Sequence, residues 1–436
     1  MSVSVDHETR PRRSGRDFWR YWAATSISTA GDGVTSVALP LAALHLLNAS
    51  NFEVGLITAA NYAAIVLIGL PAGVLVHRFP LRRTQVSMDV LRALLMASIP
   101  AAAWLDALTL AHVLAVAFLA GLATNVFDVA NSTLVPYIVP KADLTRRNGL
   151  LTGTFATTRL LGPAVGGVLV QAIGAAQAIL LDAVSYLLSA AVLGSMSRAD
   201  TTDRHIDRTG FWERIRVGLR YVVRHPVIRP GLVAAGAFNF ANGALLAVTP
   251  TFLVRTLDLP VGIVGVVMAV DALGAVVAAA LVARMVSRFG NTRIVLASVA
   301  FAPAAALLMP LGTGSAAIWM FATGMCGLAA GVTVFSVVTR THRQTVTPSH
   351  LLPRVMASVR FASWSATPFG ALSAGAVAQA WDPRAGLVIA CAAALVAPLA
   401  VWGSRIRTTT RLEDLEPLGA GEAETAPAAA SRAGER

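Results

Sequence analysis

Long apolar stretches alternate with short polar ones along almost the whole chain. Twelve of them, at roughly 20–46, 52–77, 85–106, 109–136, 147–171, 175–197, 227–254, 259–285, 291–312, 314–339, 353–380 and 384–403, match the length of about 20 residues that crosses a bilayer. Within them the apolar positions run on without a period of two, as in Ala63–Val76. Lipid offers no partner to the backbone of an open strand, so these stretches read as helices. The pattern predicts an all-α integral membrane protein with twelve transmembrane helices.

Charge then sorts the connections between spans. Of 35 Lys and Arg residues, 30 fall in the N-terminal arm, in every second connection, or in the C-terminal tail. Arg78, Arg82 and Arg83 follow the second span; Lys141, Arg146 and Arg147 follow the fourth; Arg284, Arg288 and Arg293 follow the eighth. The alternate connections hold only Arg255 and Arg384, and Arg92, Arg159 and Arg360 fall inside spans. Basic connections stay on the cytoplasmic side, so both termini are expected there. The net charge of +12 is thereby explained as membrane topology, and a nucleic-acid partner is not expected, because such a site gathers its charge on one patch. Residues 1–17 are polar and Arg-rich without a leader's apolar core and cleavage site, so the first span is expected to act as an uncleaved anchor.

The one long internal connection, 198–226, divides six spans from six, and the halves are related by a shift of 210 residues. Asp32-Gly33 with Pro40 falls on Asn242-Gly243 with Pro250, Gly55 on Gly265, Asn61 on Asp271, Arg78-Phe79 on Arg288-Phe289, and Arg83 on Arg293. Parallel repeats of this kind place a substrate site between the halves near mid-membrane. The organisation expected is a cytoplasmic arm (1–19), a six-helix bundle (20–197), a linker (198–226), a second six-helix bundle (227–403) and a disordered cytoplasmic tail (404–436). In the linker Phe211, Ile215, Leu219 and Val222 recur at helical spacing beside Arg216, Arg220 and Arg224, which fits either a helix along an anionic membrane surface or a solvated helix.

Ionisable residues inside spans are candidate working parts, because a charge at mid-bilayer costs about 2.5–3.5 kcal/mol even on lenient insertion scales. Asp32 and Arg159 each lie about 12 residues into spans that run in the same direction, or roughly 18 Å at 1.5 Å per residue. Asp128 and Asp271 are further interior acids, and Asp182 is expected at a polar interface. Asn61, Tyr62, Asn125, Asn131, Phe238, Asn239, Asn242 and Trp364 are candidate lining groups for a cavity with large apolar walls and sparse polar groups, which suits an amphiphilic substrate.

Four stretches, in order, resemble the major facilitator superfamily and, within it, the bacterial transmembrane secretion effector group of multidrug, macrolide and siderophore exporters. They are Ile27–Gly33; Ala72–Phe79 with Arg82-Arg83; Arg159–Gly167; and Gly218–Tyr221 through Arg224-His225-Pro226. The second is similar to the superfamily's Gly-x-x-x-Asp-Arg-x-Gly-Arg-Arg loop: Gly73, Arg78 and Arg82 match, while His77 replaces Asp, Pro80 replaces Gly and Leu81 replaces Arg. In the family this loop helps latch the halves on the cytoplasmic side; Asp89 and Arg92, three apart on the next span, share a face that compensates for the lost Asp. Gly162-Pro163-x-x-Gly166-Gly167 is similar to the antiporter signature of exporters, with Gly149 at a further glycine position and Thr158 in place of another. Its glycines admit a close helix neighbour, for which Gly262, Gly265 and Gly274 are the expected partners.

The resemblance puts the first and fifth spans side by side, so Asp32 is expected to pair with Arg159 and to serve as the proton-coupling carboxylate. A carboxylate poised between burial and a guanidinium changes its proton affinity as a cavity wets and dries. Relatives carry an arginine in the fourth span that is linked to proton transfer; none lies between Leu110 and Pro136, which leaves Asp128 as a substitute. The function implied is a monomeric secondary transporter in a bacterial cytoplasmic membrane, exporting a small hydrophobic or amphiphilic molecule by alternating access in exchange for protons. An importer, or a facilitator without ion coupling, has the same fold. A membrane transferase needs clustered acids, or a His-based or paired-acid site at the surface; the eight histidines are scattered and no acid-rich repeat appears in a cytoplasmic connection, while a non-transporting sensor has no distinguishing sequence mark. Cys326 and Cys391 lie in apolar spans, and neither metal-ligand spacing nor a phosphate-cradling Gly-Lys-Ser/Thr loop is present, so no enzyme activity, metal or cofactor is expected.

Overall fold

The computed structural model of the protein describes residues 11–68, 79–139, 143–196, 211–314, 316–348 and 351–408, and among these it is helical with no strand. The first half supplies α1 (Pro11–Leu46), α2 (Asn51–Ile68), α3 (Leu81–Trp104), α4 (Leu110–Ile138), α5 (Leu144–Ile173) and α6 (Ala175–Gly194). A short helix, α7 (Phe211–Arg224), leads to α8 (Ile228–Thr251), which a π turn over Phe252–Thr256 extends. There follow α9 (Val261–Phe289), α10 (Asn291–Ala306), α11 (Leu308–Leu311), α12 (Ala316–Val346), α13 (Leu352–Trp364), α14 (Ala366–Ala380), α15 (Pro383–Ala394) and α16 (Val396–Trp402).

Among the described residues, eleven helical segments are long and apolar enough to cross a membrane. The expected span at 353–380 is interrupted: α13 and α14, of 13 and 15 residues, meet at Ser365. Proline explains the break, since the Pro368 ring collides with the carbonyl four residues back and offers no N–H. The same offset recurs where α10 ends at Ala306 before Pro310 and where α15 ends at Ala394 before Pro398.

The two halves share one packing order. Helix α1 packs on α5 and α6, α6 on α3, α3 on α4, and α4 on α2. In the second half α8 packs on α14 and on α15 and α16, α16 on α10, α10 on α12, and α12 on α9. Asn48 and Asp258, 210 residues apart, both hold φ 50° in the turn after the first helix of their half, a left-handed conformation that Asn and Asp tolerate. The halves meet along two seams, α2 on α14 and α5 on α9. Gly55 and Gly265, also 210 apart, sit one in each seam: a Cβ on Gly55 would stand 2.8 Å from the Ala371 carbonyl oxygen, and one on Gly167 would stand 2.8 Å from the Gly265 Cα.

Helix α7 docks on α13 and α8 through Val222, Ile228, Val355 and Val359. The expected apolar stripe divides here, because Val222 is buried while Leu219 is 40% exposed beside Arg216 and Arg220. The buried face runs instead through Gly218, Val222 and His225, since only a glycine at 218 lets the Arg354 backbone approach. The side chains of Phe211 and Ile215 lie outside the described residues.

His225 is fully buried at this joint. Its Nδ1 accepts from the backbone N–H groups of Val227 and Ile228 at 3.2 and 3.3 Å, satisfying donors that the start of α8 leaves open. Its ring lies 5.7 Å from Tyr221 and 5.9 Å from His342. Burial, and then His342, lower its pKa from 6.5 to about 4. The neutral ring is the one that caps α8, so the unfolded chain takes up this proton first as pH falls. Stability from this group is therefore full above pH 6.5 and is lost between pH 6.5 and 4. Thermal unfolding of the detergent-purified protein across that range should fall more steeply with acid for the wild type than for His225→Gln; equal slopes would refute the assignment.

Candidate functional site

Three polar stripes face one another inside the first half. On α1, Thr25, Ser28, Asp32 and Thr35 recur at three- and four-residue steps; on α3, Gln85, Asp89 and Arg92 do so; on α6, Asp182, Ser185, Tyr186 and Ser189 do so. Because α6 packs on both α1 and α3, the stripes converge. Arg92 is 1% exposed and forms an ion pair with Asp89. Its guanidinium lies 4.3 Å from the Tyr186 ring and 4.4 Å from the Phe127 ring, so aromatic faces cover the cation where it lacks a carboxylate. Tyr186 donates its hydroxyl to Asp32, Ser189 donates to Asp89 at 2.7 Å, and Thr35 and Ser185 donate to Asp182 at 2.5 and 3.1 Å. Arg92 is within electrostatic reach of Asp32, Asp89 and Asp128.

The expected Asp32–Arg159 pair does not form. Asp32 turns inward to Tyr186, whereas Arg159 reaches across the α5–α9 seam to Asp271 at 3.3 Å. The reason lies in the faces of α5. Gly162 and Gly166 lie against Gly33 and Val34 of α1, which brings those two backbones together, while Arg159 projects on the side that meets α9. The Arg159 side chain is 67% exposed, and so open a pair contributes about 0–1 kcal/mol, which suits a link that is made and broken. Tyr62 lies within electrostatic reach of Arg159.

The antiporter-like glycines thus divide between two partners. Gly162 and Gly166 serve α1, and Gly167 meets Gly265, whose own Cβ position is also taken by the Pro163 carbonyl. Gly262 faces Gln171, which accepts from the Gly262 N–H at 2.9 Å. Gly274 does not face α5 as expected; it lies against Cys326 of α12, within the second half.

Asp89 and Arg92 form their pair, but buried in the first half rather than between the halves. Arg82 donates to the carbonyls of Gly194 and Met196, both at 2.9 Å, and so caps the end of α6. Gly73, His77 and Arg78 lie outside the described residues. Among the cavity candidates, Asn242 and Trp364 are exposed, with the Arg360 guanidinium 5.5 Å from the Trp364 ring. Asp128 is exposed and within electrostatic reach of Arg92 and of Arg360 on the opposite half. Phe238 is buried in the second half's core, 5.5 Å from Phe335. Asn61 donates to Ala117 of α4 at 3.2 Å, and Asn131 accepts from Tyr21 of α1. Asn125 and Asn239 donate to carbonyls of their own helices.

Tyr186, Ser189, Ser185 and Thr35 were not singled out from the sequence. The signal was available as the four-residue polar rhythm on α6 within an otherwise apolar span. Arg92 of α3 places a buried guanidinium against Phe127, the neighbour of Asp128 on α4.

Halves of equal helix order, joined by two seams around intramembrane charges, define a multi-pass membrane transporter of small molecules. The chain belongs to the transmembrane secretion effector family of the major facilitator superfamily, whose model matches residues 13–431. It is 27% identical over 395 residues to the multidrug efflux pump Tap of Mycolicibacterium fortuitum, spanning 87% of this chain and 93% of that one. Among solved structures it is similar to the nucleoside transporter NupG, with a TM-score of 0.74 at 11% identity over 89% of this chain and 99% of that one. It is also similar to a bacterial homologue of the iron transporter ferroportin in an inward-facing state, with a TM-score of 0.68 at 17% identity over 88% and 97%. These likenesses show the fold. The family and its relatives are transporters, not enzymes.

Two outcomes follow for the purified protein. Arg92→Met should lose about 3–5 kcal/mol by leaving Asp89 buried without its cation, and Arg92→Met/Asp89→Leu should recover part of that in thermal unfolding. Gly265→Leu should strain the α5–α9 seam by about 1–3 kcal/mol and slow transport, whereas Gly153→Ala, on α5 with open space around it, should leave the seam intact.

Proposed function

We propose that this chain exports a small hydrophobic or amphiphilic molecule from the bacterial cytoplasm by alternating access, in exchange for protons. It works as a monomer in the cytoplasmic membrane, with twelve spans and both termini inside. The sidedness is supported by the sequence positions of the basic residues, 30 of 35 of which fall in the termini and in every second connection. Export is supported by the similarity to Tap over nearly the full length of both chains.

The observation that carries the alternating-access reading is where the halves are tied. Arg255 donates to Asn51 and to the Ala49 carbonyl at 3.2 and 2.6 Å, Asn51 donates to the Ala378 carbonyl at 2.9 Å, and Gly262 to Gln171 at 2.9 Å. All of these lie at the end away from the basic connections, and deeper in the membrane the exposed Arg159–Asp271 pair also joins the halves. Below them Arg159, Asp128 and Asn242 are exposed at helix-interior positions, as expected for a cavity open to the cytoplasm.

Proton exchange is supported by charge imbalance in the first half. Asp32, Asp89 and Asp182 gather around one described guanidinium, that of Arg92, and the exposed Asp128 lies within its electrostatic reach. Unpaired buried charges are costly, and an excess of carboxylates is relieved by binding protons. Asp32 is the group best placed to report cavity wetting to the cluster, since it is half-buried on α1 and bonded to Tyr186. In everted vesicles from an efflux-deficient host, dye efflux by the wild type should stop with an uncoupler and fall at least about tenfold in Asp32→Asn. Efflux indifferent to the uncoupler would remove the coupling, and full pH-driven efflux by Asp32→Asn would remove this carboxylate's role.

A further inference from the structure

The two seams are related by the repeat but are closed differently. On the α5–α9 side, below the glycine crossing, Arg159 and Asp271 bridge the halves at 3.3 Å. The repeat counterpart of Asp271 is Asn61 on α2, and its amide turns away from the seam to Ala117 of its own half. On the α2–α14 side the described polar links, those of Asn51 and Arg255, lie at the outer end only. Below the crossing at Gly55 and Ala371, a cleft of about 730 Å³ opens there.

Its composition is one-sided. Ala59, Ala60 and Ala63 of α2 form a shallow floor, and Phe118 of α4 and Phe369 of α14 are its bulky walls. Phe369 and Leu67 are 60% and 63% exposed, so the mouth faces sideways, where lipid surrounds the protein. Pro368, which breaks the span into α13 and α14, lines the same cleft. The volume falls within the range of about 300–1,000 Å³ typical of sites for drug-sized ligands. Because the cleft continues the seam between halves that move, its shape changes with each transport cycle; a groove on the outer face of one bundle would not. On the same helix Tyr62 lies within reach of Arg159 in the interior, so α2 forms the wall between cleft and charged cavity.

We infer that the α2–α4–α14 cleft is a lateral entry site that takes the apolar body of a lipophilic substrate directly from the bilayer. It rests on the export reading.

The test uses the full chain in proteoliposomes with two dyes, bilayer-partitioned Hoechst 33342 and water-borne ethidium. Ala63→Trp fills the cleft floor; Leu188→Trp, on the exposed face of α6, is the control. Hoechst efflux should fall about tenfold in Ala63→Trp while ethidium efflux stays within about twofold, and Leu188→Trp should change neither. Equal loss of both dyes, or no loss, overturns the entry site. In parallel, a lipid-soluble aryl diazirine should label residues 56–67 and 114–118, and excess Hoechst should suppress that labelling without affecting residues 181–188. Labelling that Hoechst fails to displace means that lipid chains alone occupy the cleft, and overturns the proposal. A wild type that moves neither dye defeats the export reading for these compounds, while the labelling still decides whether the cleft binds a lipophilic solute.

Discussion

In a bilayer the hydrophobic effect does not press helices together, because lipid tails are as apolar as leucine. What holds the halves of this transporter is close backbone approach, and it occurs where side chains are absent. Gly55 lies against Ala371 and Gly375 in one seam, and Gly265 against Pro163 and Gly167 in the other. Dispersion between backbones at such distances is strong over a small area and lost on slight separation. Contacts of this kind suit halves that rock about the seams, and the polar links at the outer end add directionality without a broad interlocked surface.

The buried charges obey the opposite logic. Asp89 and Arg92 sit deep in the first half, ringed by Tyr186, Phe127 and Ser189, and are in no position to open and close with the seam. Arg159 and Asp271 join different halves and remain accessible. One assembly therefore holds its charges within a bundle, and the other spans the two bundles. Asp32 stands between them in character: half-buried, bonded to the inner cluster, and on the helix that packs against α5. The repeat places Asn242 at the same point of the second half, so the two halves share a scaffold but not its electrostatics.

The glycine-rich segment of α5 shows how one short motif serves two neighbours. Gly162 and Gly166 accommodate α1, Gly167 accommodates α9, and Pro163 presents the carbonyl that a side chain at 265 would strike. Its helix is a shared wall between a contact inside the first half and a contact between the halves. Arg159, one turn away, is held in the second of these.

Most span positions and the 210-residue repeat were legible in the chain, because length and hydropathy act locally and lipid forces the backbone into helices. The interruption at Ser365 was legible in principle from Pro368, as were the polar stripes from their spacing on α1, α3 and α6. Which stripe meets which, however, depends on helix rotation about its own axis, and that is set by packing. Spacing placed Asp32 and Arg159 at equal depth; only the glycine contact of α5 with α1 turned Arg159 towards Asp271 and left Asp32 to Tyr186. Depth is a property of one helix, whereas azimuth belongs to the assembly of several.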